Sequence, residues 1–282
     1  MERQTLLFRV FVHAAAAGLA LLLLAPFLWL MIMSVSSTKD LTSIPLHWLP
    51  DRFDVSRYVQ LLTLAEHSAG EAFVASLRNS LTVATLATLC ALLVGIPAAW
   101  IVSRASGRFN LAIYAVVATY MLPPVALVVP MYFALSALGL LNSVYGLAII
   151  YLSILAPFTA WLLKASFDNI PIEIERAAMI DGARLDQILR RITLPMAAPS
   201  LAMAALFAFL LAWDEFFYAL LFTSDQRAKT LTVAIADLAG GRIADYGLIA
   251  TAGVLAAAPP VLIGFCLQRV VVSGLTAGGV KG

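Results

Sequence analysis

Two stretches of this sequence set reactive side chains at useful spacings. The first is Trp213-Asp214-Glu215-Phe216-Phe217-Tyr218, adjacent carboxylates among aromatics in an otherwise apolar run. A carboxylate at the centre of a membrane helix costs about 2.5–3.5 kcal/mol on insertion scales, so such acids face a wet cavity or a paired donor rather than lipid. Aromatic rings stack on the C–H faces of sugars, and carboxylates accept hydrogen bonds from hydroxyls. That chemistry makes Trp213, Asp214, Glu215, Phe217 and Tyr218 a candidate ligand path. The structural alternative has the acids pairing across helices while the rings simply pack. On one continuous helix Asp214 and Glu215 point about 100° apart, so a single face cannot present both equally.

The second stretch is a polar segment, about 165–198, between apolar runs. Pro171 suits a first helical position. Glu173 and Glu175 fall in the first turn, where carboxylates favour the helix dipole. This helix is expected to run to about Ile180, and Asp181-Gly182 to turn, because Gly accepts left-handed backbone angles at no steric cost. A second helix is expected from about Ala183 to Leu194, stopping before Pro195. Its apolar face is Leu185, Ile188, Leu189 and Ile192, with Asp186 and Arg190 paired on the other side. Ala177 and Ala178 are small enough to let another surface approach. Taken alone, this helix–turn–helix reads either as an amphipathic membrane-surface loop or as a docking element for a soluble partner.

Other chemistry is lacking. His13, His47 and His67 are scattered without ligand spacing, and Cys90 and Cys266 sit in apolar runs where cysteine acts as a small hydrophobe. Neither a His-Glu-x-x-His site nor a Gly-x-x-x-x-Gly-Lys-Ser/Thr phosphate loop occurs. No metal, catalytic set or bound cofactor is expected, and a net charge of +2 gives no reason to expect nucleic acid.

The elements that must position these residues are membrane helices. Hydrophobic types make up 62% of the 282 residues and charged types 12%, far from the roughly 45–50% and about 25% of soluble domains. Six spans are expected, at about 14–35, 79–102, 110–136, 144–163, 199–222 and 247–268, each near the ~20 residues that cross ~30 Å of hydrocarbon. The first is too long for a signal-peptide core and reads as a retained helix. Prolines 123, 124 and 130 fall within the third span, and 259 and 260 within the sixth; each is expected to kink its helix. With the N-terminus inside, 11 of the 18 basic residues fall on inner segments, so both termini are expected to be cytoplasmic. The fold expected is all-α, a single transmembrane domain over 1–282.

The segment ERAAMIDGARLDQILRRITLP resembles the "EAA" loop of binding-protein-dependent ABC import permeases. Ala177, Ala178, Asp181, Gly182, Ala183, Ile192, Leu194 and Pro195 match that pattern; Arg176 stands where the family has Glu, and the acid, Glu175, lies one residue earlier. The stretches at 121–143 and 213–223 and the ending RVVVSGLTAGGVKG (269–282) resemble the carbohydrate branch of the family, the branch of the maltose importer's inner permease subunit. The resemblance implies a bundle of six helices working by alternating access in the cytoplasmic (inner) membrane. Its partners would be a second permease subunit in a heterodimer, two ATPase subunits that use ATP and Mg, and an extracytoplasmic substrate-binding protein. It also implies that Glu175, Ala177, Ala178, Asp181, Gly182, Ala183, Leu194 and Pro195 form the ATPase-coupling loop and that the tail, 269–282, contacts the ATPase dimer. An ion-coupled transporter using Asp214 and Glu215, or a different cargo such as an amino acid, phosphate or polyamine, stays open from the residues alone.

Overall fold

The computed structural model describes residues 6–66, 68–105, 108–240 and 245–279. Every regular element among them is helical. Four helices are long and apolar enough to cross a membrane, and two bent pairs bring the number to six if each counts as one span. The chain clusters into two compact units, residues 1–74 with 235–257, and residues 75–234 with 258–282.

In the first unit, α1 (Leu6–Val35) leads into two short helices, α2 (Thr38–Thr42) and α3 (Ser56–Leu62). A capping box between Ser37 and Asp40 starts α2. Arg57 of α3 is buried. Its guanidinium donates to the Ser36 carbonyl at 2.5 Å and to Thr38 Oγ1 at 2.8 Å, and pairs with Asp245 at 3.2 Å. Asp245 stands just before α14 (Tyr246–Gly279), and Thr251 Oγ1 on that helix donates to the Ser34 carbonyl. One buried guanidinium thus ties the segment after α1 to the start of α14. Gly247 makes room for it, because a Cβ there would overlap Arg57.

The second unit centres on α7 (Val144–Phe167), the most buried of the long helices. Ser143 caps it through Tyr145 N–H. The helix α4 (Ala69–Arg104) packs closely on it at Gly95, where a Cβ would fall 2.8 Å from Thr159 Oγ1. Thr159 in turn bonds the Leu155 and Ala156 carbonyls of its own helix and Ala91 of α4.

The first and second helices start earlier than their sequence outlines, at Leu6 and Ala69, and the third, fifth and sixth spans depart further. The third is not one kinked helix: α5 (Arg108–Ala118) and the 3-10 turn Thr119–Met121 are separated from α6 (Pro124–Ala137) by a bend of 100°. Consecutive prolines are the reason. A residue before proline is driven out of the α region, and Leu122 and Pro123 are both extended. The fifth span breaks after α11 (Ala198–Trp213) and resumes as α12 (Phe217–Phe222). The sixth begins at Tyr246, as expected, but its helix continues through the tail to Gly279; Val280, Lys281 and Gly282 lie outside the described residues. A further helix, α13 (Leu231–Ala239), precedes it.

Candidate coupling loop and ligand path

The loop after α7 starts with α8 (Ile172–Ile180), with Pro171 as its N-cap. Its end is a Schellman motif: Gly182 N–H donates to the Met179 carbonyl and Ala183 N–H to the Ala178 carbonyl. Gly182 has φ +84° and open space where a Cβ would stand, so the need for glycine is conformational rather than steric. Next come α9 (Leu185–Ile188), a π turn over Leu189–Thr193 and α10 (Leu194–Met196).

The second helix therefore does not stop before Pro195. The π turn donates Leu194 N–H to the Leu189 carbonyl, and Pro195, with no N–H to place, sits in the turn that follows. Already within α9, before the π turn, the expected apolar face divides: Ile188 is fully buried and Leu185 exposed. Asp186 pairs with Arg184 at 3.2 Å, not with Arg190, and both side chains are exposed.

Glu175 holds this loop from inside. It is 1% exposed, although it lies on a polar helix. Its carboxylate accepts from Arg104 Nε at 2.9 Å and Nη2 at 3.0 Å, Trp100 Nε1 at 3.2 Å and Thr193 Oγ1 at 2.7 Å. Burial pushes its pKa up, but the hydrogen bonds from Arg104, Thr193 and Trp100 outweigh that, and the carboxyl lies below its ordinary range. Arg104 also donates to the carbonyls of Phe167 and Ile170, at the end of α7. Around this network pack Ala99, Leu163, Phe167, Ile170, Ala197 and Ala204. The loop, α4 and α7 are thus bound at one point.

Glu175 accordingly stands apart from the other loop residues. Ala177, Asp181, Gly182 and Pro195 are exposed, and Ala178, Ala183 and Leu194 half-buried. Beside them Ile180 is 87% exposed, with Met179 and Leu185 also open. The tip around the Gly182 turn thus sets open apolar side chains beside the exposed Asp181 and Arg184. Sequence reading placed the Asp181-Gly182 turn but missed Trp100 and Arg104, which lie 75 and 71 residues away from Glu175; the one signal was an arginine ending an apolar span.

The second candidate set is divided by the break in the fifth span. α11 ends at Trp213, with Asp214 as its C-cap, exposed. Glu215 accepts from Tyr218 N–H at 2.8 Å and Ala219 N–H at 3.1 Å, and so caps α12. The Glu215 carbonyl accepts from Thr232 Oγ1. Trp213 is buried and stacked on Phe209, with centroids 5.6 Å apart, and Tyr218 is buried against Phe222. On one continuous helix Trp213, Phe217 and Tyr218, at spacings of four and five, would share a side; the break between α11 and α12 separates Trp213 from the other two. Asp214 and Phe217 are left open, at a discontinuity of the kind that lines ligand paths in transporters. The cavity of about 710 Å³ between α4, α5 and α7 is a separate feature, lined by Gly95, Ala98, Val116, Leu122, Ala156 and other mainly apolar residues, which offer few hydrogen bonds to a hydroxylated ligand.

Comparison with known proteins gives this arrangement its class. The family model described as "Binding-protein-dependent transport system inner membrane component" matches residues 91–277. The chain is 34% identical to the trehalose/maltose transport system permease protein MalG of Thermococcus litoralis, over 99% of each chain. It is 34% identical to the inner membrane ABC transporter permease protein YcjP of Escherichia coli, over 94% of this chain and 95% of that protein. It is 33% identical to the sulfoquinovosyl glycerol transport system permease protein SmoH of Agrobacterium fabrum, over 92% of this chain and 89% of that one. Its fold is that of a chain in the crystal structure of a bacterial ABC transporter involved in alginate import, with a TM-score of 0.76 over 95% of this chain at 23% identity. The chain belongs to the binding-protein-dependent transport system inner membrane components, the non-catalytic permease subunits of ABC importers.

Proposed function

We propose that this permease carries a sugar or sugar derivative across the cytoplasmic membrane by alternating access. The observation that carries this reading is identity over nearly the whole chain to permeases named for trehalose/maltose and sulfoquinovosyl glycerol transport. In this reading the chain pairs with a second, different permease subunit, and two ATPase subunits, which use ATP and Mg, dock beneath the pair. An extracytoplasmic binding protein delivers the cargo, and both termini of this chain are cytoplasmic.

The loop tip around Ala177, Ala178, Gly182 and Ala183 seats in an ATPase groove, and the tail, 269–282, adds a second contact. Glu175 serves differently. By holding the loop to α4 and α7 through Arg104, it transmits movement of the tip to two long helices instead of letting the loop flex alone. At the break in the fifth span, Asp214 lines the path and Glu215 holds the break open.

Reconstitution tests the reading. The complete assembly in proteoliposomes takes up a radiolabelled sugar with ATP and binding protein, and this chain alone takes up none. Uptake by the lone chain, or uptake by the assembly of amino acids or phosphate but of no sugar, overturns it.

A further inference from the structure

The segment joining α1 to α4 exposes large apolar side chains to a degree unusual for a loop: Ile44 is 99%, Trp48 69%, Leu49 72% and Phe53 80% exposed. It does not extend freely from the end of α1. Three contacts pin it along the last turns of that helix. The Trp48 ring lies 5.2 Å from that of Trp29. Asp54 N–H donates to the Val35 carbonyl at 2.8 Å, and the Tyr58 hydroxyl lies 2.7 Å from Ser34 Oγ. Trp29 precedes the helix end by six residues, about 9 Å along the axis. From Trp48 to Asp54 the chain therefore runs along the flank of α1, back up to its end.

The depth of that flank follows from length. The apolar part of α1, Phe8–Val35, has 28 residues, or about 42 Å of helix against ~30 Å of hydrocarbon. Centred in the bilayer, the helix overhangs by about 6 Å at each end, which brings its final turns, and Trp48 with them, to the headgroup boundary. Leu28 and Met31, on the neighbouring turns, are also exposed, so the apolar surface of α1 continues onto the segment. Charged and apolar residues interleave: Asp51 and Arg52, both exposed, separate Leu49 from Phe53. The core of a subunit interface is depleted of charge, whereas the membrane boundary takes aromatic and basic residues together.

We propose that residues 44–55 are an interfacial anchor, inserting Trp48, Leu49 and Phe53 into the headgroup–acyl boundary of the bilayer at the Val35 end of α1. The anchor holds the short helices α2 and α3, and with them Arg57, at fixed height over the membrane. It depends on the membrane location of the chain and not on the cargo.

The test places an environment-sensitive fluorophore (NBD) on Phe53→Cys and, separately, on Leu49→Cys, with Cys90 and Cys266 replaced by Ala. Both are measured in the fully assembled transporter in lipid nanodiscs. Lipid carrying a spin label near the headgroup is expected to lower the emission at either site at least about twofold, more than lipid labelled at the chain end, as a shallow burial of 5–10 Å requires. The same label on Glu66→Cys, an exposed position, is expected to respond to aqueous iodide and not to the lipid. Quenching of both test sites by iodide alone overturns the proposal by placing the segment in water. Protection from both quenchers also overturns it, by showing that a protein subunit covers the patch.

Discussion

Arg104 Nε lies 2.9 Å from Glu175 Oε2, joining the end of a membrane helix to a loop 71 residues later. Both groups are largely buried, Glu175 almost wholly. Removing one partner of such a pair costs about 3–5 kcal/mol, since the other charge is left in a poorly solvated site. Glu175→Leu and Arg104→Met are each expected to lower the thermal stability of the assembled transporter and to depress sugar-coupled ATP hydrolysis. The double variant is expected to recover part of the stability, because an apolar pair leaves no orphan charge. A double-mutant cycle on melting temperature measures this; additive losses would mean that the pair does not act as a unit.

The same carboxylate sets a pH dependence. Its pKa in the folded protein is depressed, so the stability it contributes is present above the ordinary carboxylate value of about 4.3. That stability is lost as pH falls through the lower folded value. Amide exchange in 172–196, corrected for intrinsic rate, is therefore expected to be as slow at pH 5.5 as at pH 7.5 and to accelerate only in stronger acid. In Glu175→Gln this acid-induced step disappears. A loop that loosens between pH 7 and 6 would point to another group.

At Gly182, φ of +84° meets open space. Gly182→Ala is expected to cost about 1–2 kcal/mol of local strain, without a clash. Gly182→Arg adds bulk at the exposed turn and Ala178→Trp at the half-buried position beside it. Both are expected to leave the chain inserted in the membrane while the ATPase subunits dissociate or hydrolyse ATP without transport. Co-purification with a tagged ATPase and uptake assays check this; normal coupling in both would leave the tip a membrane-surface helix.

The two acids of the fifth span are expected to behave differently. Glu215→Ala removes the cap from α12, a loss of about 0.5–2 kcal/mol, and is expected to lower stability and transport together. Glu215→Gln keeps an acceptor and recovers most of both. Asp214→Asn is expected to alter apparent transport affinity with assembly and stability intact. Equal loss of stability in Asp214→Asn and Glu215→Ala would assign both acids to packing.

Gly247 supports the buried Arg57, and a Cβ there would overlap the guanidinium. Gly247→Ala is expected to destabilise the protein by about 1–3 kcal/mol, the range for overpacking, whereas the same change at Gly264, where nothing lies within 4 Å, is expected to be nearly neutral. Thermal melting of the two assembled variants distinguishes a packing role from mere glycine flexibility.

What the sequence determined on its own was whatever depends on neighbours along the chain. Apolar runs of about 20 residues mark the membrane spans, and the boundaries at Val35, Val144 and Tyr246 agree with the helices to within a residue. Asp181-Gly182 announced its turn, because a positive φ restricts residue type at that one position. The motif residues of the loop carried the family. Tertiary structure decided what depends on residues far apart. Glu175 looked like a solvated first-turn acid because nothing local says that Arg104, Trp100 and Thr193 converge on it. The fifth span read as continuous because Trp-Asp-Glu-Phe contains neither Gly nor Pro. Its break is stabilised by Glu215 bonding to the backbone of the next turn and by Thr232 from another helix. Hydrophobic periodicity reports which side of a helix leaves water. It cannot report which buried polar group will meet which partner, since that pairing is fixed only when the helices pack.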